Sequence, residues 1–285
     1  MGHPMKIPGA LLLSLSLSLA FTACEELDFT GMFLSDQTAN QRFKQSMEWN
    51  RMHPFREISV PSDDYFILSM GDSHSGGTEN LDTFINRGRI LKATALVMVG
   101  DLTTGHAEDY AVFQQHLPPQ DTIPSFLLVG NHELYFDGWE QFYSRFGSST
   151  YLFTIKTPAA TDLYICLDSG GGTLGSEQMD WLKGILADLR PDYRHCVVFT
   201  HNNLFRPRHT VSTNPPVEEL HVLVELFTIH RVDLVITGHD HKKDVQWFGN
   251  TAYITMDALM DGLSYAGYLQ LHFNNGQVDY TFINL

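Results

Sequence analysis

Five short polar clusters in this 285-residue chain each follow an apolar run, and together they carry the donor atoms of a metal centre. They read GDSH at 71–74, GDLTT at 100–104, GNHE at 130–133, FTH at 199–201 and GHDH at 238–241. Any one of them is common by chance. Five in order, offering Asp72, His74, Asp101, Asn131, His201, His239 and His241, form a set. Imidazole, carboxylate and amide donors without a thiolate suit borderline divalent ions such as Mn, Fe or Zn, and argue against a structural zinc site. Two such ions about 3.5–4 Å apart stabilise both the attacking and the leaving oxygen of an in-line displacement at phosphorus.

Those residues need elements that bring them to one place. The runs before them (YFILSM, ALVMVG, SFLLVG, HCVVFTH, VDLVIT) are short, apolar and rich in β-branched residues, as buried strands are. Between them lie helical patterns: residues 78–93 put Leu81, Phe84, Ile85 and Leu91 on one face, and 106–117, 176–189 and 217–230 read similarly. Strands alternating with helices of this length predict βαβ units and parallel sheet, in which side chains for binding collect at the carboxyl ends of the strands. Residues 151–157 and 162–169 read instead as a hairpin-like pair, followed by the turn GGGTLG and a helix opening at Ser176. From Asp244 onward apolar and polar residues alternate between Gly and Asn turns, which predicts antiparallel strands. The fold expected is α/β, with more strands than one doubly wound sheet holds.

In that order and spacing the five clusters resemble the calcineurin-like metallophosphoesterases, from Tyr65 to the end of the chain. The resemblance implies a four-layer αββα sandwich, two mixed β-sheets face to face with helices outside. It implies two divalent ions: Asp72, His74, Asp101 and His241 around one, and Asn131, His201 and His239 around the second, bridged by Asp101. It also implies a role for His132 beside the metals, acting on the scissile phosphate. Elementary chemistry agrees. A shared carboxylate at Asp101 keeps two cations close despite their repulsion, and neutral imidazoles leave their Lewis acidity intact. A hydroxide held between both ions is then available near neutral pH, so no protein nucleophile is needed. Ser73 and Ser75 are turn formers on this reading. The sequence departs from the family at Thr104, where an Asp that orients the catalytic histidine is common, and at His201–Asn203, where many relatives have Pro.

The expected activity is metal-dependent hydrolysis of a small phosphoester, monoester or diester. The alternative is a non-catalytic metal-binding surface lipoprotein that retains the fold; the complete set of seven expected ligands plus His132 counts against it. A formal charge of −15 makes nucleic acid an unfavourable partner, since its phosphates are repelled, whereas bound cations can still attract a phosphorylated substrate. Other polar residues have plainer readings: His106, His116, His221 and His230 fall in or beside helices as surface or packing groups. Arg206, Arg208 and His209 follow the His201 loop, where they either meet a substrate phosphate or are solvated. Glu133 either turns towards His132 or solvates its loop.

The N-terminus reads as a targeting segment. A basic start (MGHPMK) precedes the apolar and Ser-rich stretch 7–21, which is shorter than the ~20 residues a membrane span needs. It ends in FTAC, resembling the lipobox of bacterial lipoproteins with Phe21 in place of the usual Leu. Residues 1–23 are thus expected to be a signal peptide, and 24–62 a tether with a helical segment near 41–52. The phosphoesterase domain is expected over 63–285. Export to the bacterial cell envelope and membrane attachment through a lipidated Cys24 follow from that reading. Cys166 and Cys196 lie in apolar strand runs, where buried thiols are the plain reading and an exported chain permits a bridge.

Overall fold

The computed structural model describes residues 37–54, 56–205 and 215–285. The signal segment, Cys24, and the Arg206, Arg208 and His209 group lie outside the described residues.

Twelve strands among the described residues form two mixed sheets. The first is ordered β1-β5-β6-β7-β8-β10-β9: β1 (Glu57–Ser59), β5 (Tyr151–Lys156), β6 (Thr161–Leu167), β7 (Cys196–Thr200), β8 (Leu234–Thr237), β10 (Thr251–Thr255) and β9 (Asp244–Phe248). Its centre, β6-β7-β8-β10, is parallel, while β5 runs antiparallel to β6 as the hairpin reading expects. The second is ordered β12-β11-β2-β3-β4: β12 (Gln277–Asn284), β11 (Gly267–Asn274), β2 (Tyr65–Met70), β3 (Ala95–Val99) and β4 (Ser125–Leu128). Here β2-β3-β4 are parallel and the two C-terminal strands add antiparallel to β2.

The sheets pack face to face, and their inner faces supply a core that includes Ile67, Val97, Val99, Phe153, Tyr164, Val197, Phe199, Ile236, Ile254 and Leu271, each fully buried. The outer face of the five-stranded sheet is covered by α2 (Glu79–Leu91), α3 (Ala107–His116) and α4 (Gly138–Phe146), through Leu81, Phe84, Phe113, Trp139 and Phe142. The other sheet is covered by α5 (Gly175–Asp188) and α6 (Val217–Ile229), through Leu182, Leu186, Leu223 and Phe227. Two buried faces per sheet explain why the parallel strands read as continuous apolar runs rather than alternations. This is the four-layer α/β architecture expected from the sequence.

The helical segment expected near 41–52 forms α1 (Ala39–Met52), opened by a capping box in which Thr38 and Gln41 satisfy each other's backbone N–H. It is not a spacer. Phe43 meets Trp181 of α5, and Arg42 enters the interior to grip Asp168 with bonds of 2.8 and 3.1 Å. The chain then adds β1 to the edge of the seven-stranded sheet beside β5. Cys166 and Cys196 are free, buried thiols on neighbouring strands, and burial pushes both up from the ordinary thiol range.

Candidate metal centre

All seven expected ligands lie at the carboxyl ends of parallel strands, where the two sheets converge. Asp72 and His74 follow β2, Asp101 follows β3, Asn131 follows β4, His201 follows β7, and His239 and His241 follow β8. The backbone ties the loops together: the amides of Asp72 and His74 donate to the carbonyls of Gly100 and Asp101, both at 3.0 Å, and Gly238 donates to His201 at 3.0 Å. Ser73, read as a turn former, adds a hydroxyl bond to the Leu102 carbonyl at 2.9 Å.

Asp72, His74, Asp101, His239 and His241 all adopt positive φ, between 41° and 72°. Left-handed backbone at side chains of this kind is strained and persists only where the surroundings over-determine it. Gly100, before Asp101, itself has φ of 79°, whereas Gly130 serves close approach. Gly130 packs so closely on Asp101 that any Cβ would overlap its carboxylate and amide.

The donor atoms form two groups that share one residue: Asp72, His74, Asp101 and His241, and then Asp101, His201 and His239. The Nε2 atoms of His74 and His241 are 3.2 Å apart, as are His201 Nε2 and His239 Nδ1, and Asn131 Oδ1 is 3.3 Å from His201 Nε2. Donors each about 2.1 Å from one ion, at tetrahedral to octahedral angles, stand about 3.0–3.4 Å apart, so these pairs fit a shared cation. His201 Nδ1 bonds the Val99 carbonyl at 2.9 Å, which leaves Nε2 facing inward as a ligand nitrogen.

The charge balance points the same way. Burial lowers His74 to about 4. Burial also lowers His201, but the Asp101 carboxylate 3.3 Å away overrides this and lifts it to about 10. The Asp101 carboxylate thus favours positive charge at His201, the same charge a bound cation would bring.

His132 donates its backbone N–H to Asp101 Oδ1 at 2.8 Å, its ring stands edge-on to His74 at 4.4 Å, and its buried Nδ1 has no partner. Thr104, at the place of the family's orienting Asp, lines the same cavity, but its hydroxyl is committed to Asp109. Glu133 takes neither expected course. It is fully buried and accepts from the amides of Gly130 (2.8 Å) and Thr103 (2.9 Å), clamping the second and third clusters together. Burial and then the neighbouring Asp101 raise it to about 7.

His106 stacks on Phe136 and His116 meets Asp82, both consistent with packing or surface roles. Three residues that the motifs do not announce complete the cavity of about 370 Å³ over the site: Met260, Leu263 and Tyr265, from the loop after β10. Their only sequence signal is a break in strand alternation between 256 and 266.

Comparison with known proteins bears on the family and the fold. The calcineurin-like phosphoesterase family matches residues 67–243, and no curated protein matches the chain. A dimetal phosphatase from Danio rerio superposes with a TM-score of 0.59 at 13% identity, over 79% of this chain and 99% of its own. GAP50, the anchor in the inner membrane complex of Plasmodium, superposes with a TM-score of 0.58 at 14% identity, over 78% of this chain and 84% of its own. At these identities the likeness is one of fold. The family match covers most of the chain, which therefore belongs to the calcineurin-like phosphoesterases.

Proposed function

We propose that this calcineurin-like phosphoesterase hydrolyses a small phosphoester by attack of a water-derived nucleophile at phosphorus, with His132 assisting the departing oxygen. The observation that carries the reading is the pair of donor groups joined at Asp101. We assign Asp72, His74, Asp101 and His241 to one ion, and Asp101, Asn131, His201 and His239 to the other. When bound there, such ions would supply Lewis acidity towards the phosphoryl oxygens and would lower the pKa of a bound water.

The chain's own residues do the rest. The Val99 carbonyl orients His201, and the backbone N–H of His132 orients Asp101. Glu133 fixes the loops that carry Asp101 and Asn131. As the P–O bond to the alcohol breaks, the protonated His132 ring gives its proton to the alcohol oxygen, a task suited to an imidazole at the cavity wall.

The fold also occurs in an anchor protein, so fold alone does not decide for catalysis; the complete donor set and His132 support the catalytic reading. The test is hydrolysis of p-nitrophenyl phosphate and bis-p-nitrophenyl phosphate by chelator-treated protein, before and after Mn²⁺ is restored. Metal-dependent turnover of either ester supports the reading and ranks monoester against diester. No turnover of either, with two ions bound, overturns it.

We also propose export and acylation at Cys24, supported by the sequence of residues 1–24. Among the described residues no helix is long and apolar enough to cross a membrane. Mass spectrometry of the native membrane fraction tests this, and an unmodified Cys24 or a cut elsewhere refutes it.

A further inference from the structure

The cavity over the metal centre has two unlike walls. One is the imidazole and carboxylate floor; the other is Met260, Leu263 and Tyr265. Among the described residues that line it there is no Lys or Arg; within that lining, the donor floor is the place where bound cations would supply positive charge. A phosphoryl group belongs on that floor, which leaves the apolar wall to face the rest of the substrate.

The wall is built in place rather than draped over the site. Asp261 reaches back across 182 residues to cap α2, accepting the amides of Glu79 (3.1 Å) and Asn80 (2.8 Å). That helix has no side-chain cap of its own. The Asn80 side chain in turn donates to the carbonyls of Leu259 and Met260, at 3.1 and 3.0 Å. The base of the loop is bonded to the metal clusters themselves: Leu259 N–H to the Gly71 carbonyl at 3.0 Å, and Ala258 N–H to the His241 carbonyl at 3.3 Å. Leu259 and Ala258 are buried beneath. The height of the wall above the floor is therefore set by the same backbone that sets the expected ligands. On it Tyr265 stays 45% exposed, a large flat ring turned into the cavity lining.

Building on the phosphoester reading above, we propose that Met260, Leu263 and Tyr265 form a subsite for the leaving group. It selects phosphoesters whose alcohol part carries a flat aromatic group, an aryl or a nucleobase-bearing moiety. A tyrosine face and a methionine thioether both favour aromatic partners beyond simple burial. An aliphatic alcohol gains burial alone from such a surface, and a strongly ionic one gains nothing.

The test compares phenyl and trifluoroethyl phosphoesters, as monoesters and as methyl diesters, and reads each variant against the wild type so that the difference in leaving-group acidity cancels while shape differs. Tyr265→Ala should lower the phenyl-to-trifluoroethyl ratio of kcat/KM about five- to ten-fold, mainly through KM. Met260→Ala should move it in the same direction, and Tyr265→Phe should retain it. An unchanged ratio in Tyr265→Ala overturns the proposal. Calorimetric binding of phenylphosphonate against methylphosphonate to the metal-loaded protein reads the same wall without turnover. Tighter binding of the phenyl compound, lost in Tyr265→Ala, supports the subsite; equal binding in the wild type overturns it. Absence of turnover by the wild type would count against the hydrolase reading alone, since the phosphonates still decide the subsite.

Discussion

The guanidinium of Arg42 holds the carboxylate of Asp168 through two hydrogen bonds, of 2.8 and 3.1 Å, with both side chains about 2% exposed. Asp168 also accepts from the amide of Gly170, and Gly170 lies so close to Gly130 that a Cβ would fall 2.5 Å from its carbonyl oxygen. Through Asp168 and Gly170, α1 is thus linked to the loop that carries Asn131 and His132.

Breaking that pair on one side leaves a desolvated carboxylate without its counter-charge, which costs about 3–5 kcal/mol. Arg42→Ala should lower the urea midpoint of unfolding accordingly, whereas Arg42→Met with Asp168→Leu should recover much of the loss. We further propose that the domain takes in α1 and β1 rather than beginning at residue 63. A chain starting at residue 63 lacks both Arg42 and β1, so it should be insoluble or unfolded where one starting at 37 folds. Equal stability of the two truncations would sink that boundary.

Because Asp101 belongs to both donor groups, Asp101→Ala should strip both ions, while His74→Ala should cost only the ion of the first group. Elemental analysis of protein purified without chelator reads this directly, against about two equivalents in the wild type, of ions suited to nitrogen and oxygen donors. Gly130→Ala should behave like Asp101→Ala in metal content, since its methyl would displace the Asp101 carboxylate. Retention of one ion in Asp101→Ala would contradict the shared role.

The site was legible because its residues come in chain order, each announced by the strand that ends just before it. Asp72, Asp101 and His201 are local to their strands, so spacing along the chain translates into convergence in space. What supports them was not legible. Arg42 and Asp168 are 126 residues apart, and Arg42 sits in an ordinary helical stretch. Asp261 and the α2 amides it caps are separated by 182 and 181 residues, and neither end carries a motif. Glu133 was visible, but its burial depends on which loop folds over it. The fold was read correctly where strands are buried on both faces. It was underread in the short edge strand β1, whose three residues offer no period to detect.

Proton and metal should compete at His201. Its ordinary value is 6.5; in the metal-free site burial lowers it and Asp101 lifts it to about 10. The folded value lies above the unfolded one, so the contribution of the His201–Asp101 pair to stability is fully present below pH about 6.5 and lost as pH rises through about 10. Metal-free protein should therefore lose thermal stability across pH 6.5–10, and metal-loaded protein should not, because the ion replaces the proton. Metal uptake in weak buffer should release protons in the same window. Identical pH slopes with and without metal would refute the competition.

The last prediction separates two roles for His132. Its backbone is fixed by the 2.8 Å bond to Asp101 Oδ1, and its ring forms part of the cavity wall without a protein partner at Nδ1. Nothing therefore holds the ring in the orientation that an acidic neighbour would impose, Thr104 being bonded to Asp109. If the ring protonates the leaving oxygen, its removal should matter most where that oxygen is most basic. General acid assistance is worth about 10²–10⁴-fold, and an activated aryl ester needs little of it. His132→Ala should keep both ions and lose most of its activity on an alkyl phosphoester. On the p-nitrophenyl ester it should lose several-fold less. Because leaving-group chemistry differs between these esters by design, the comparison is made within each ester, mutant against wild type, so that any preference of the Tyr265 wall cancels. Equal loss on both esters would assign the ring to stabilising charge on the phosphoryl oxygens, and no loss on either would remove it from the mechanism.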